Sequence, residues 1–389
     1  MSRKQLAALF FYGMSIFFVG NGLMPLFPVY ATKLGASSKI VGYYLSTVMI
    51  ATFTGTIVAG WLSDKLQQRK KLMVANGLMG IPVILFMGQV TSIWQLTLLT
   101  AMLWFVGGMA YTLIMILTGL FSEQSKRGKT YGTISMFGPL GMMLGGLISG
   151  PMVDRWDYPI MFIIVSLLWA LSQLIILFIE DKSEEQIQHG KISEIRSKST
   201  LGGMFFIIFL ASILSQVVFY MGRLGVSLTM NDLNYAATAI SSTATIGGAV
   251  ILPIPFLVGW ISDRVGRKRL LMLFYLIGST GMFFLTVSVS LWQFWIAFAL
   301  VSLLPGVNRA VGTALVTDLI QKESAGRGIS LYSSSQFIAG TIGFAFTGYA
   351  VQYFGMKMVL ITGGILPLIG TILLIAVKQK EKEKEVLQS

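Results

Sequence analysis

The most chemically pointed feature of the sequence is an aspartate set among cations at fixed spacing, in Gly259-Trp260-Ile261-Ser262-Asp263-Arg264-Val265-Gly266-Arg267-Lys268. A carboxylate placed there can accept hydrogen bonds from an arginine or from a helix N-terminus. Gly266 permits a tight turn, and Gly259, lacking a side chain, lets a neighbouring helix approach closely. Such a carboxylate–arginine cluster can form in one conformation and separate in another, and so bias a two-state equilibrium. An earlier copy, Gly60-Trp61-Leu62-Ser63-Asp64-Lys65, keeps the glycine, the carboxylate and the first cation. There Gln67 stands in place of the turn glycine and Gln68 in place of an arginine, with Arg69, Lys70 and Lys71 following one position later.

Two further arginines stand apart from these turns. Arg309 follows Asn308 with apolar residues on both sides. An arginine at the centre of a membrane helix costs ~2.5–3.5 kcal/mol on insertion scales, so it is expected to face a cavity or a partner, such as helix-end carbonyls or Asp318. Arg223 is expected to line the same cavity or to snorkel to the interface, paired with Asp232. Asn21, Tyr111 and Asn308 complete the polar cavity candidates. Phe17, Trp104, Phe219, Tyr220 and Met221 offer aromatic and methionine surface that suits adaptable binding of lipophilic molecules, and equally suits a packed core. Pro25 and Pro28, in Gly20-Asn21-Gly22-Leu23-Met24-Pro25-Leu26-Phe27-Pro28, remove backbone hydrogen bonds and bend their helix. Gly141, Gly145 and Gly146, within 138–150, form a small-residue face for close helix contact.

The elements that hold these residues follow from composition. The 389 residues are 54% hydrophobic and only 12% charged, with mean hydropathy +0.75. Soluble domains carry roughly 25% charged residues, so lipid is the solvent for much of the chain. Only helices or a closed barrel satisfy the backbone there. The apolar runs are each ~20 residues or longer and do not alternate, which selects helices over barrel strands. Twelve spans are predicted, near 6–31, 40–62, 72–90, 94–121, 131–153, 158–179, 201–228, 236–260, 270–290, 292–317, 329–353 and 357–377. The polar stretch 180–200 separates six spans from six. The expected units are therefore 1–179 and 201–378, six-helix bundles joined by the linker 180–200, with a tail at 379–389.

Of the 29 Lys and Arg, Lys33, Lys39, Arg155, Arg223 and Lys357 fall on one side of this arrangement and Arg309 inside a span. All the others fall on the side shared by the termini and the linker, which makes that side cytoplasmic. The halves repeat: besides the duplicated turn, Trp94-Gln95 recurs as Trp292-Gln293, and Glu123…Arg127-Gly128 as Glu323…Arg327-Gly328. Two such repeats about an axis along the membrane normal form a transporter architecture, with the substrate site where the repeats meet.

The segment 259–268 resembles the cytoplasmic signature of the major facilitator superfamily, with every marker residue present. The conformational switch that this implies comprises Gly60, Asp64, Lys65, Arg69, Gly259, Asp263, Arg264, Gly266, Arg267 and Lys268. The proline-bent first span and the glycine-rich 138–150 segment are similar to motifs of the twelve-span drug/proton antiporters, although Met142 stands where a proline is expected and Pro139 comes earlier. The span-four arginine usual in proton-coupled members is missing from Leu103-Trp104-Phe105-Val106-Gly107-Gly108-Met109. The resemblance implies an all-α membrane protein of twelve transmembrane helices in two pseudo-symmetric six-helix bundles, with spans one, four, seven and ten lining a central cavity.

Several functional classes are excluded. The chain has no cysteine and a single histidine, His189, in the linker, so neither a metal centre nor an enzyme's catalytic cluster is expected, and no cofactor. No Gly-x-x-x-x-Gly-Lys-Ser/Thr loop is present for ATP. The net charge of +13 resides in short loops rather than a continuous patch, which argues against nucleic acid. The expectation is a monomeric exporter in a bacterial cell membrane, handling small lipophilic neutral or anionic compounds. An ion gradient, with H+ as the coupling ion, would drive it. The alternative is an uptake or metabolite permease of the same fold for a small organic anion.

Overall fold

The computed structural model describes residues 1–123, 127–181, 201–321 and 324–377, with the side-chain surroundings of Phe256, Gly259, Trp260, Asp263 and Ala325 left aside. Lys126, nearly all of the 180–200 linker with His189, Lys322, Glu323 and the 379–389 tail lie outside the described residues.

The described residues form an all-helical protein, because a chain this apolar satisfies its backbone within each segment. In order, the helices are α1 (Arg3–Phe17), α2 (Leu26–Lys33), α3 (Ser38–Leu66), α4 (Arg69–Met87), α5 (Ile93–Phe121), α6 (Arg127–Ser135), α7 (Phe137–Gln173), α8 (Gly203–Asp232), α9 (Ala237–Ile251), α10 (Ile254–Val265), α11 (Arg267–Leu285), α12 (Leu291–Val307), α13 (Thr313–Leu319), α14 (Ala325–Phe354) and α15 (Met356–Ile375). Nine helical stretches among the described residues are long and apolar enough to cross a membrane. One of them, Arg127–Phe178, holds two crossings; with α9–α10 and α14 the crossings number twelve, six in each half.

Local chemistry sets the boundaries. Ser2, Ser37 and Ser92 accept from the backbone N–H of Gln5, Ile40 and Gln95 and so start α1, α3 and α5. The repeated Trp-Gln pairs belong to capping motifs. Gln95 accepts from the N–H of Thr91 at 2.8 Å, and Gln293 from that of Ser290 at 2.8 Å in a full capping box; the Ser-x-x-Gln spacing is the signal.

Spans one and ten are interrupted by π-helical turns, Phe18–Gly22 and Asn308–Gly312. Span eight, expected as one helix, breaks at Leu252–Pro253, with Pro253 at the N-cap of α10. The connection between spans five and six, expected as a short loop, is a single residue within α7: Asp157, at φ 59 and ψ 177. Its carboxylate accepts from the following N–H of Tyr158 at 2.8 Å and from Lys33 Nζ at 2.6 Å.

One end of the molecule gathers the start of α1, the end of the first half and the end of α15. Gln5 Nε2 donates to the Glu180 carbonyl at 3.1 Å, and Lys268 Nζ to the Val377 carbonyl at 2.8 Å. This is the basic end of the sequence; the opposite end carries the α2–α3 and α14–α15 connections. The halves meet through α3 against α14 and α7 against α9.

Candidate functional site

Glycines determine how closely the halves approach. In α7 they fall on two faces. Added Cβ atoms on Gly141 and Gly145 would lie 2.5 Å from the carbonyl oxygens of Met14 and Phe18, so this face packs on the first span of its own half. Gly146 and Gly150 face the other half; a Cβ on Gly146 would stand 2.6 Å from the Ser241 carbonyl oxygen. Gly248 repeats this from α9, with a Cβ 2.5 Å from the Pro139 carbonyl oxygen. Across α3 and α14, Gly42 and Gly348 meet backbone to backbone, each added Cβ within 2.7 Å of the other's Cα.

Polar groups lock these contacts toward the far end. Asp154 accepts from the N–H of Ala237 at 2.9 Å and of Thr238 at 2.8 Å, capping α9 from the opposite half. Ser46 Oγ donates to the Thr341 carbonyl at 2.9 Å. Lys39 Nζ lies 3.5 Å from the Tyr353 hydroxyl. Toward the basic end the packing changes: an added Cβ on Gly60 meets nothing within 4 Å. No neighbouring helix approaches closely at that glycine in this conformation.

Arg223 links the centre to the far-end seal. The expected pair with Asp232 does not form. Instead Nη1 donates to Asn21 Oδ1 at 3.0 Å and Nη2 to the Asn21 carbonyl at 2.8 Å. Pro25 explains the second bond, since it has no N–H for the carbonyl four residues earlier, which is that of Asn21. Arg223 is 5% exposed, lies 5.8 Å from the Phe219 ring centroid, and its buried Nε has no partner.

Arg309 is exposed on the π turn of span ten, within electrostatic reach of Tyr220 on α8. Tyr220 packs on Phe344 of α14, with ring centroids 5.2 Å apart, and against Gly340 beside Met49 of the first half. Arg309 lies midway along the tenth span, Leu291–Leu319. Its expected alternative partner, Asp318, is taken by Arg267.

Asn308, grouped from sequence with the cavity residues, is 1% exposed and committed to the second half's core. It donates to Ser215 Oγ at 2.8 Å and accepts from the Tyr275 hydroxyl at 2.7 Å, holding α8 and α11 to the π turn. Tyr111 is half-buried, its ring 5.9 Å from that of Phe17. Trp104, Phe219 and Met221 are buried; Trp104 packs edge-on to Phe27 at 5.2 Å.

The two signature turns differ as their sequences do. In the first, Gln67 adopts the left-handed conformation, φ 51, that a glycine would take without strain. Asp64 is exposed, and Lys65 Nζ stands 4.9 Å from the Trp61 ring centroid. Arg69 is buried, with Nε donating to Ser63 Oγ at 3.0 Å and Nη2 to Gln67 Oε1 at 2.7 Å. In the second turn Gly266 has φ 95, and Arg267 Nη1 donates to Asp318 Oδ2 at 2.5 Å and to the Ala314 carbonyl at 2.7 Å. Arg264 lies in the last turn of α10, while the surroundings of Gly259 and Asp263 lie outside the described side chains.

Sequence reasoning missed Asp154 as a clamp, because its partner is distant in the chain. It also missed the π turns, for which no local signal stands out beyond the proline after Asn21.

Comparison with known proteins gives a consistent result. The family model described as Major Facilitator Superfamily matches residues 8–231 and 208–388. The multidrug resistance protein MdtG of Salmonella choleraesuis (strain SC-B67) is 27% identical over 271 residues, covering 64% of each chain, so the match spans just under two thirds of that relative's length. MdtG of Proteus mirabilis (strain HI4320) is 26% identical over 362 residues, 88% of this chain and 84% of that one. Among solved structures, the nucleoside transporter NupG superposes with TM-score 0.79 at 14% identity, covering 96% of this chain and 99% of that one; at this identity the likeness speaks for the fold alone.

Proposed function

The chain belongs to the major facilitator superfamily, and from that premise we propose that it exports small lipophilic compounds, neutral or anionic, from the cytoplasm. That it is a transporter rather than an enzyme follows from the family; the direction, cargo and energy source are our reading. The MdtG relatives, named for multidrug resistance, support efflux. The observation that carries the cargo class is the charge of the central region. Arg223 and Arg309 stand within spans, whereas the described carboxylates Asp64, Glu123, Asp154, Asp157, Glu180, Asp181, Asp232 and Asp318 lie at or near the ends of the membrane crossings. A site with cations and no facing carboxylate favours anions and tolerates neutral molecules, and it disfavours cationic drugs.

In this reading the basic end is cytoplasmic, with the termini and the linker 180–200 on that side of a bacterial cell membrane. The units 1–179 and 201–378 act as two bodies of a monomer. The conformation described is then the one sealed outside, with Gly60 facing open space inside. Transport proceeds by rocking the halves about the central site, driven by an ion gradient in which H+ is the coupling ion.

The test is a proteoliposome assay with imposed pH and sodium gradients across a compound panel, alongside resistance of an expressing strain. Efflux of anionic and neutral compounds coupled to the pH gradient is expected. Sodium-coupled transport, or accumulation with no resistance, contradicts the reading. Exposed Arg309 favours one alternative, uptake of a small organic anion by the same fold; inward accumulation of a radiolabelled anion would select it.

A further inference from the structure

Arg223 is a buried cation compensated only by neutral groups. Burying an arginine is tolerable when its charge is paired and its donors are satisfied. Among the described residues no carboxylate lies within ion-pair distance of it. Its two bonds go to the side-chain and main-chain oxygens of Asn21, and Nε is buried with no partner. The Asn21 carbonyl is available because Pro25 cannot bond it, so the π turn and the proline together shape a neutral acceptor pair for a guanidinium in the other half. Next to Asn21, an added Cβ on Gly20 meets nothing within 4 Å, so open space borders the pair.

We propose that Arg223 is the receptor for the anionic group of the transported molecule, a carboxylate, sulfonate or phosphate, and that Asn21 holds its place when the site is empty. This rests on the transporter reading and adds to it the event that opens the far end. An anion offers two oxygens to the fork of Nε and one Nη, a geometry that uses the donor now idle. Charge-assisted bonds of this kind are roughly twice as strong as neutral ones, so the anion displaces Asn21. The exchange removes a tie between α8 and the first span. Ligand binding thereby weakens the seal, whereas an unloaded chain stays shut at that end. A neutral ligand cannot displace Asn21 in this way, so neutral cargo opens the far end through its apolar contacts alone and only at higher concentration.

The chain has no native cysteine, so paired labels can be placed without background. Gln89→Cys and Val287→Cys lie in equivalent exposed far-end connections, and the distance between labels there reports the seal. The protein is reconstituted in phosphatidylcholine vesicles, which supply no net-anionic headgroup. The probes are decanoate and decyl sulfate, with decanol and decyltrimethylammonium as neutral and cationic counterparts.

The far-end distance is expected to lengthen at much lower concentration with the two anions than with decanol, and to stay unchanged with decyltrimethylammonium. Asn21→Asp places a permanent carboxylate on the guanidinium; it should hold the end closed and weaken the decanoate response at least tenfold. Asn21→Ala should raise the open fraction without ligand and keep the anion response. Arg223→Gln should abolish that response while the purified protein stays monodisperse. Equal lengthening with all four probes, or a wild-type response in either Asn21→Asp or Arg223→Gln, overturns the proposal. Transport of the same compounds, measured in parallel, tests export separately: the distances decide the site whether or not any compound crosses.

Discussion

Asp154, at the far end of span five, caps the N-terminus of α9 in the opposite half through the N–H groups of Ala237 and Thr238, at 2.9 and 2.8 Å. A helix start is a common place for a carboxylate, because it leaves unpaired donors and a positive dipole end. Here the carboxylate and the helix belong to opposite halves, which in the proposed transport cycle separate when the far end opens. Losing an N-cap costs about 1 kcal/mol, which corresponds to roughly a fivefold change in a two-state ratio. Asp154→Ala is therefore expected to raise the far-end-open population about fivefold, measured by the distance between labels at Gln89→Cys and Val287→Cys. An unchanged distribution would mean that the cap is not part of the seal.

The glycines of span five separate packing within a half from packing between halves. Gly141→Ala drives a methyl against the first span of its own half, and the expected result is a lower melting temperature in detergent. Gly146→Ala drives one against Ser241 of the other half. It should leave the melting temperature less affected and shift the far end toward open. Gly60→Ala meets nothing in the present conformation and should leave both unchanged here, while slowing any step in which the basic end closes. Turnover against melting temperature, measured for all three variants, checks the pattern.

Asp157 holds a conformation that side chains rarely adopt, φ 59 and ψ 177. Asp157→Gly and Asp157→Ala both remove the cap on Tyr158 and the pair with Lys33, so comparing them isolates the backbone. Alanine should be the less stable by ~1–3 kcal/mol, seen as a lower melting temperature.

The Lys33 hydrogen bond holds the Asp157 carboxyl below its ordinary pKa of 3.8. A lowered folded-state pKa means that the pair's contribution is present above the ordinary value and is lost as pH falls through the lowered one. Both partners are more than half exposed, so the pair contributes at most ~1 kcal/mol. Between pH 7 and 5 the stability difference between the wild type and Lys33→Ala should stay constant, and it should shrink only below about pH 4. Thermal unfolding across that range measures it.

In the second signature turn, Arg267 reaches Asp318 at the end of α13, within its own half. The pair is partly exposed, at 29% and 51%, so Asp318→Asn should change stability by less than ~1 kcal/mol. Its effect should appear in the rate of conformational exchange, read from transport turnover, more than in ligand affinity. Equal loss of both would make the pair a scaffold.

Much of the fold was legible because lipid imposes strong rules. Apolar runs of membrane length, the duplicated turn and the segregation of basic residues all follow from a bilayer solvent, and the helices found match the predicted spans within a few residues. Breaks inside spans were harder to read. Pro253 interrupts span eight, yet Pro82 lies inside α4 without ending it, so proline alone does not decide. At the central site the residue types were legible and their partners were not. Sequence proximity and charge offer Asp232 to Arg223 and Asp318 to Arg309 as alternatives to a cavity role. The fold instead supplies Asn21, through a carbonyl left open by Pro25, and gives Asp318 to Arg267. Asn308 read as a cavity residue because it adjoins Arg309, but one step around a helix turns a side chain from the central face into the core.

In the proposed transport cycle the halves move as two bodies, one end closing as the other opens. Labels at Gln89→Cys and Val287→Cys report the far end, and labels at Leu66→Cys and Val265→Cys, both exposed, report the basic end. With both distances followed in the same vesicles during transport, the account predicts opposite changes: the far-end distance lengthens as the basic-end distance shortens. Two distances that rise together, or that stay fixed while substrate crosses, would contradict it.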